Sequence, residues 1–258
     1  MRPTVLAVML ALALPAAVSA APAKSPEKQQ ATPAYLTAAI GDPARAADSK
    51  DDERRHMADV MAFAQVKPGQ KVLELAPGGG YWTRVFSGIV GPKGHVYTIW
   101  PTEMMKHAAK NFADWKTLSA TPHYANVDVS EQAITQIAVP AKVDLAFTVQ
   151  NYHDVHNLLD AAGMAKFNKQ VYDALKPGGL FVVIDHVAPA GSGLAATNTT
   201  HRIDSAVVKQ EVVAAGFVFD GESAVLANPA DPHDKLVFDP SIRGHTDQFV
   251  YRFRKPKK

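Results

Sequence analysis

The stretch Val72-Leu-Glu-Leu-Ala-Pro-Gly-Gly-Gly-Tyr-Trp-Thr83 limits what this chain can fold into more than any other. A short apolar run takes in one acidic residue, Glu74, and breaks into consecutive glycines ahead of residues able to open a helix. Glycine accepts positive φ and lets a ligand lie against bare backbone. The first N–H groups of a following helix lack intrahelical partners. The pattern therefore predicts a strand, a tight turn and a helix, with the turn facing a ligand. An ordinary loop can also carry a glycine run, so the neighbouring pattern has to decide.

That pattern alternates. Met57, Val60, Met61 and Ala64 recur at helical spacing in a helix expected from Asp51, and Lys67-Pro68-Gly69 ends it. After the strand with Glu74 come a helix from about Tyr81 to Val90, a strand from His95 to Ile99 and a helix from Thr102 to about Trp115. A third strand is expected to end at Val127-Asp128, with a short helix after Ser130. The fourth strand, Val143 to Val149, leads into Gln150-Asn-Tyr-His-Asp154, and a helical region then runs to Leu175. Lys176-Pro-Gly-Gly179 turns the chain into a fifth strand, Leu180 to Asp185. A helix from Asp204 to Ala215, a strand at Gly216 to Phe219, a polar insertion from Asn228 to His245 and a last strand, Gln248 to Phe253, complete the order. Alternating strands and helices with continuously apolar strands predict an α/β fold: a mostly parallel, Rossmann-like sheet covered by helices on both faces. The last two strands read as an antiparallel hairpin at one edge. Ligands of such sheets lie beyond the carboxyl ends of the strands.

The start of the chain reads differently. Arg2, an apolar run from Val5 to Ala17 and the small residues Val18-Ser19-Ala20 read as a secretory signal cleaved after Ala20. The run is short for a membrane span. The mature protein is thus expected in the periplasm or outside the cell, with no membrane span. Residues 21–50 read as a flexible leader and residues 51–258 as one domain. The chain has no cysteine, which excludes disulfides and a cysteine-borne lipid anchor. Its 27 basic and 25 acidic residues nearly cancel, so nothing points to nucleic acid. The basic tail from Arg252 to Lys258 reads as solvated.

From Asp51 to Lys255 the residues resemble the class I S-adenosylmethionine-dependent methyltransferases. Three features carry the resemblance: Val72-Leu-Glu-Leu-Ala-Pro-Gly-Gly-Gly80, the Val-Asp-Leu-Ala-Phe strand from Val143, and Leu175-Lys-Pro-Gly-Gly-Leu-Phe-Val-Val-Ile184. More narrowly the chain is similar to a group of exported bacterial methyltransferases marked by Asn151-Tyr-His-Asp154 and His201-Arg-Ile-Asp204. The resemblance implies seven strands, the last antiparallel, and S-adenosylmethionine over the first two. It places Glu74, Gly78 and Gly80 at the cofactor, with Ala76 where the family has its first glycine, a position alanine tolerates if φ stays negative. Asp128 matches the acceptor of the adenine amino group, or else caps a helix. The family's acidic residue after the second strand is replaced by Trp100, which either stacks on a base or packs an edge. Glu103 is the nearest carboxylate able to take its place at the ribose. Asn151, at the end of the fourth strand, joins the cofactor set.

The expected catalytic residues are His153, Asp154, His186, His201 and Arg202, which the inferred fold brings to one mouth. Histidine is a base near neutral pH, and Arg202 suits a carboxylate or phosphate on a small-molecule acceptor. Each has a structural reading as well: Asp154 as a helix cap, Asp185 as a loop anchor, and Arg202 paired with Asp204 or Asp185. Histidine and carboxylate also suit a metal, but no short ligand-pair motif supports one, and no metal ligand is assigned. His56, His107, His233 and His245 have no convergent partners in the sequence, and His156 reads as a surface histidine. Two alternatives to a methyltransferase keep the fold: an exported, non-catalytic module for a nucleoside-like ligand, and a metal-assisted hydrolase using the histidine cluster.

Overall fold

A computed structural model describes residues 32–257. The expected signal, residues 1–20, lies outside the described residues. The strands are β1 (Lys71–Leu75), β2 (His95–Pro101), β3 (Val127–Gln132), β4 (Val143–Val149), β5 (Leu175–His186), β6 (Val218–Ser223) and β7 (Gln248–Arg254). They form one sheet in the order β3-β2-β1-β4-β5-β7-β6. All neighbours pair parallel up to β5, and β7 runs antiparallel between β5 and β6. This is the expected seven-stranded Rossmann-like sheet.

Period-two alternation divides the core into two layers. Val72, Val96, Phe147 and Val182 face one side, beneath α1 (Ala34–Ile40), α2 (Met57–Ala64) and α3 (Tyr81–Val90). Leu73, Tyr97, Ala146, Phe181 and Val183 face the other, beneath α6 (Ala161–Ala174) and α7 (Ser205–Ala214). α4 (Met105–Ser119) contributes Trp115 to the first layer, and α5 (Tyr152–Leu158) contributes Tyr152 and Val155 to the second. Each fully buried large side chain, such as Phe147 or Phe181 at 0% exposure, is worth roughly 1.5–3 kcal/mol.

Five local expectations change. Residues 34–50 are not a loose leader, because Leu36 and Ala39 of α1 are buried where the helix packs on α3. Arg45 is buried too, donating to Asp52 at 2.6 Å and to the Ile40 carbonyl at 3.1 Å. Two apolar anchors and one neutralised arginine hold a segment whose composition looks solvated. α2 starts at Met57 rather than Asp51, since His56 takes a left-handed φ of 45° that interrupts the helix. β3 continues to Gln132, pairing Ser130 with Ile99, and no helix follows Ser130. Finally, β5 begins at Leu175 and β6 extends from Val218 to Ser223.

The strand order reverses between β1 and β4, which opens a cleft at their carboxyl ends. The polar insertion joins the end of β6 to the start of β7. Because β6 is parallel to β5, the insertion emerges at that same carboxyl edge.

Candidate functional site

The glycine turn leaves β1 in left-handed conformation, with φ of 51° at Ala76, 57° at Gly78 and 78° at Gly80. The negative φ expected of Ala76 is not what the turn takes. Its N–H donates to the Ile99 carbonyl at 2.9 Å and its carbonyl accepts from Asn151 Nδ2 at 3.1 Å, which together hold it there. A Cβ on Gly78 or Gly79 would meet open space. One on Gly80 would lie 2.0 Å from Trp115 Nε1, so this glycine admits the indole rather than a ligand. Glu74 is buried beneath the turn and accepts from Thr83 Oγ at 2.6 Å. Burial pushes its carboxyl up to about 8, against the opposing pull of Thr83 and Arg84.

Two chambers meet at this turn. The smaller, about 340 Å³, is lined by Glu74, Gly78, Gly79, Tyr81, Arg55 and Asn151. The Arg55 guanidinium lies 4.5 Å from the Tyr81 ring centre, and its Nε has no hydrogen-bond partner among the described residues. The larger, about 710 Å³, shares Ala76, Gly78 and Asn151 with the first. One wall carries Trp100, Glu103 and His107, and the other carries Asp154, His201 and Phe238.

On the second-strand side the structure separates the expected cofactor residues. Trp100 is 1% exposed, packs edge-on against Phe112 and borders the chamber. The Glu103 carboxylate accepts from the Ile134 N–H at 3.1 Å, which ties it to the chain after β3 at the chamber wall. Asp128 sits early in β3, opposite Tyr97, and pairs with His95 at 3.1 Å. That is short of the carboxyl edge, where Glu131 stands opposite Trp100 instead. The displacement follows from β3 running four residues past the expected end.

On the acceptor side, His153 lies in the first turn of α5 and is 2% exposed. Its backbone N–H and its Nδ1 both bond to Asp185, each at 2.8 Å. Its Nε2 lies 3.1 Å from His201 Nδ1 and 3.2 Å from Asp154 Oδ1. Burial alone would depress the His153 pKa, but the carboxylates of Asp185 and Asp154 outweigh it and raise it to about 10. At neutral pH His153 is therefore a cationic donor rather than the free base its residue type suggests. His201 reaches the cluster from a left-handed φ of 55°.

His186 and Arg202 do not join that mouth. His186 is 7% exposed, its Nδ1 bonds Thr246 Oγ at 2.7 Å, and burial pushes it down to about 4. Arg202 is fully buried and grips Asp231 through two bonds of 2.8 and 3.0 Å. It also donates to the carbonyls of Lys235 and Val187, which leaves it clamping the insertion rather than an acceptor. Asp204 caps α7, as a helix-opening aspartate should. His156 is not on the surface, since its nearly buried ring bonds Glu211 at 2.9 Å. Sequence reasoning missed Arg55, His107 and Phe238. An aromatic within a polar insertion was the available signal for Phe238, while Arg55 and His107 carry no local mark.

A family model described as protein-L-isoaspartate(D-aspartate) O-methyltransferase matches residues 46–218. The chain belongs to this family. The class I S-adenosylmethionine-dependent methyltransferase resemblance is thereby borne out, and with it S-adenosylmethionine as the cofactor. The ubiquinone/menaquinone biosynthesis C-methyltransferase of Vibrio cholerae is 25% identical over 182 residues, covering 70% of this chain and 60% of that protein. This chain thus spans about 60% of the length of such curated relatives. The protein-L-isoaspartate O-methyltransferase of Ignicoccus hospitalis is 49% identical over 45 residues, 17% of this chain and 21% of that one. A solved S-adenosylmethionine-dependent methyltransferase from Aquifex aeolicus shares the fold, with a TM-score of 0.54 at 20% identity over 83% of this chain and 94% of that one. In this family member, then, the glycine turn takes left-handed φ at Ala76, Gly78 and Gly80, and the second strand ends in an aromatic wall at Trp100.

Proposed function

We propose that the chain is an S-adenosylmethionine-dependent methyltransferase acting on a small-molecule acceptor, in the periplasm or outside the cell once residues 1–20 are removed. The observation that carries this reading is the junction of the two chambers at Ala76, Gly78 and Asn151. A molecule laid on the glycine turn there faces Asp154, His201 and Phe238.

The residues fit the cofactor on the glycine side. Gly78 and Gly79 leave the space a side chain would fill, and Arg55 offers an unpartnered donor for a carboxylate. Asn151 braces the turn, and Glu74 beneath it supplies a carboxyl able to ionise against a cation. On the second-strand side Trp100 gives an apolar wall where the family has an acidic residue, so affinity rests on the turn and on packing. The bound cofactor supplies an electrophilic methyl on a sulfonium. The protein's part is chiefly to hold the acceptor in line with it and to exclude water, since methyl transfer depends mainly on positioning.

The relatives do not choose the acceptor, because their names divide between carbon and oxygen methylation. A chamber of about 710 Å³ has the size of a small-molecule pocket. Calorimetric titration of the chain from Ala21 with S-adenosylmethionine and its demethylated product tests the reading. Saturable binding lost in Gly78→Val is expected. No binding at millimolar ligand would overturn it.

A further inference from the structure

His153 Nε2, Asp154 Oδ1 and His201 Nδ1 form a nearly equilateral triangle with sides of 3.1, 3.2 and 3.3 Å. A tetrahedral ion with bonds of about 2.0 Å keeps its ligand atoms about 3.3 Å apart. The triangle therefore has the dimensions of one face of such a coordination shell. We propose that these three side chains form a mononuclear site for a divalent transition-metal ion of the zinc class, with its remaining position open to the larger chamber. Two imidazoles and one carboxylate suit zinc, whereas calcium and magnesium seek oxygen ligands alone.

The surroundings are built for this geometry. Asp185 bonds His153 at both its backbone N–H and its Nδ1, which turns Nε2 toward the triangle, where a bound ion would replace the Nε2 proton that His153 carries in its absence. A carboxylate behind a metal-bound histidine does the same work in many metal sites. His201 adopts a left-handed backbone, which a non-glycine residue takes only against strain, and that conformation brings Nδ1 to the third corner. Asp154 and His201 line the chamber while His153 lies behind them. Three protein ligands and an open position are the layout of a reactive rather than a purely structural zinc site.

The site stands on its own geometry, but its role rests on the methyltransferase reading. There the ion holds an oxygen atom of the acceptor by one lone pair and leaves a second pair directed toward the glycine turn. The acceptor class is then a molecule with a hydroxyl or carboxylate able to bind a metal.

The test uses the full chain without added affinity histidines, stripped with a chelator and titrated with Zn²⁺ against a chromophoric competitor. One ion per chain is expected, with affinity at least about tenfold weaker in Asp154→Asn and His201→Ala and about 10–100-fold weaker in Asp185→Asn. His56→Asn, outside the cluster, should bind as the wild type does. Co²⁺ in the unaltered chain should show the intense visible absorption of a four- or five-coordinate ion, a readout independent of any variant's folding. No Zn²⁺ binding at micromolar metal, or equal affinity in His201→Ala, would overturn the site and leave a hydrogen-bonded cluster. Titration of the stripped chain with S-adenosylmethionine separates the two readings. Metal binding without cofactor binding keeps this site and sinks the proposed function, and the converse keeps the function and sinks the site.

Discussion

Asp185 accepts two hydrogen bonds from one residue, His153, through its backbone N–H and its Nδ1, each 2.8 Å long. The carboxylate is fully buried and the imidazole nearly so. Burial opposes the charge on Asp185, but the His153 cation and its hydrogen bonds hold the carboxyl below the usual range. The pair joins the end of β5 to the start of α5 and so sets the direction of the cluster facing the chamber.

Replacing Asp185 with Asn should therefore cost stability as well as orientation. Breaking a buried ion pair leaves its partner's charge uncompensated, and a loss of about 3 kcal/mol is expected at neutral pH. Urea unfolding of wild type and variant checks this. A difference below about 1 kcal/mol, the range of an exposed pair, would show that the pair is solvated.

Arg202 makes the opposite prediction to the one its residue type invites. Arg202→Ala strands Asp231 in the interior and should destabilise by about 3–5 kcal/mol. Removing Asp231 as well should recover part of that loss, a recovery the double-mutant cycle measures. If Arg202→Ala left the unfolding midpoint unchanged and weakened only acceptor binding, the clamp assigned here would be wrong.

Glu74 should make stability depend on pH in a set direction. Its folded value of about 8 lies above the ordinary value of 4.5, so between these the folded chain keeps a proton that the unfolded chain has released. Stability then falls as pH rises through that window, by up to about 1.4 kcal/mol per unit, and levels off above it. Glu74→Gln should lose this slope, and comparison of the two unfolding profiles isolates the group. A cationic ligand on the turn should favour the carboxylate and expel the proton, so calorimetry in buffers of different ionisation enthalpy should detect proton release near neutral pH.

The glycines of the turn should separate by what surrounds them. Gly78→Ala enters open space and should cost only the left-handed penalty of about 1–2 kcal/mol. Gly80→Ala pays that penalty and drives a Cβ into the Trp115 ring, so it should be clearly the more destabilising. Unfolding midpoints of the two variants decide, and equal losses would mean that Trp115 moves aside freely.

The sequence by itself determined the order of the seven strands, the strand–turn–helix unit at Glu74 to Gly80, and the family. These depend on interactions within a few residues: apolar period, glycine at left-handed φ and the aspartate that caps α7. Only the tertiary structure decided which distant groups meet. Asp231 reaches Arg202 because the insertion returns over the carboxyl edge of β5, and no local pattern encodes that path. Four further residues of β3 moved Asp128 off the edge, because pairing with β2 outweighed the helix expected after Ser130. The triangle of His153, Asp154 and His201 joins the start of α5 to a loop 48 residues later. Asp185 bonds His153 from behind and so turns Nε2 toward the other two, an orientation that no reading along the chain supplies.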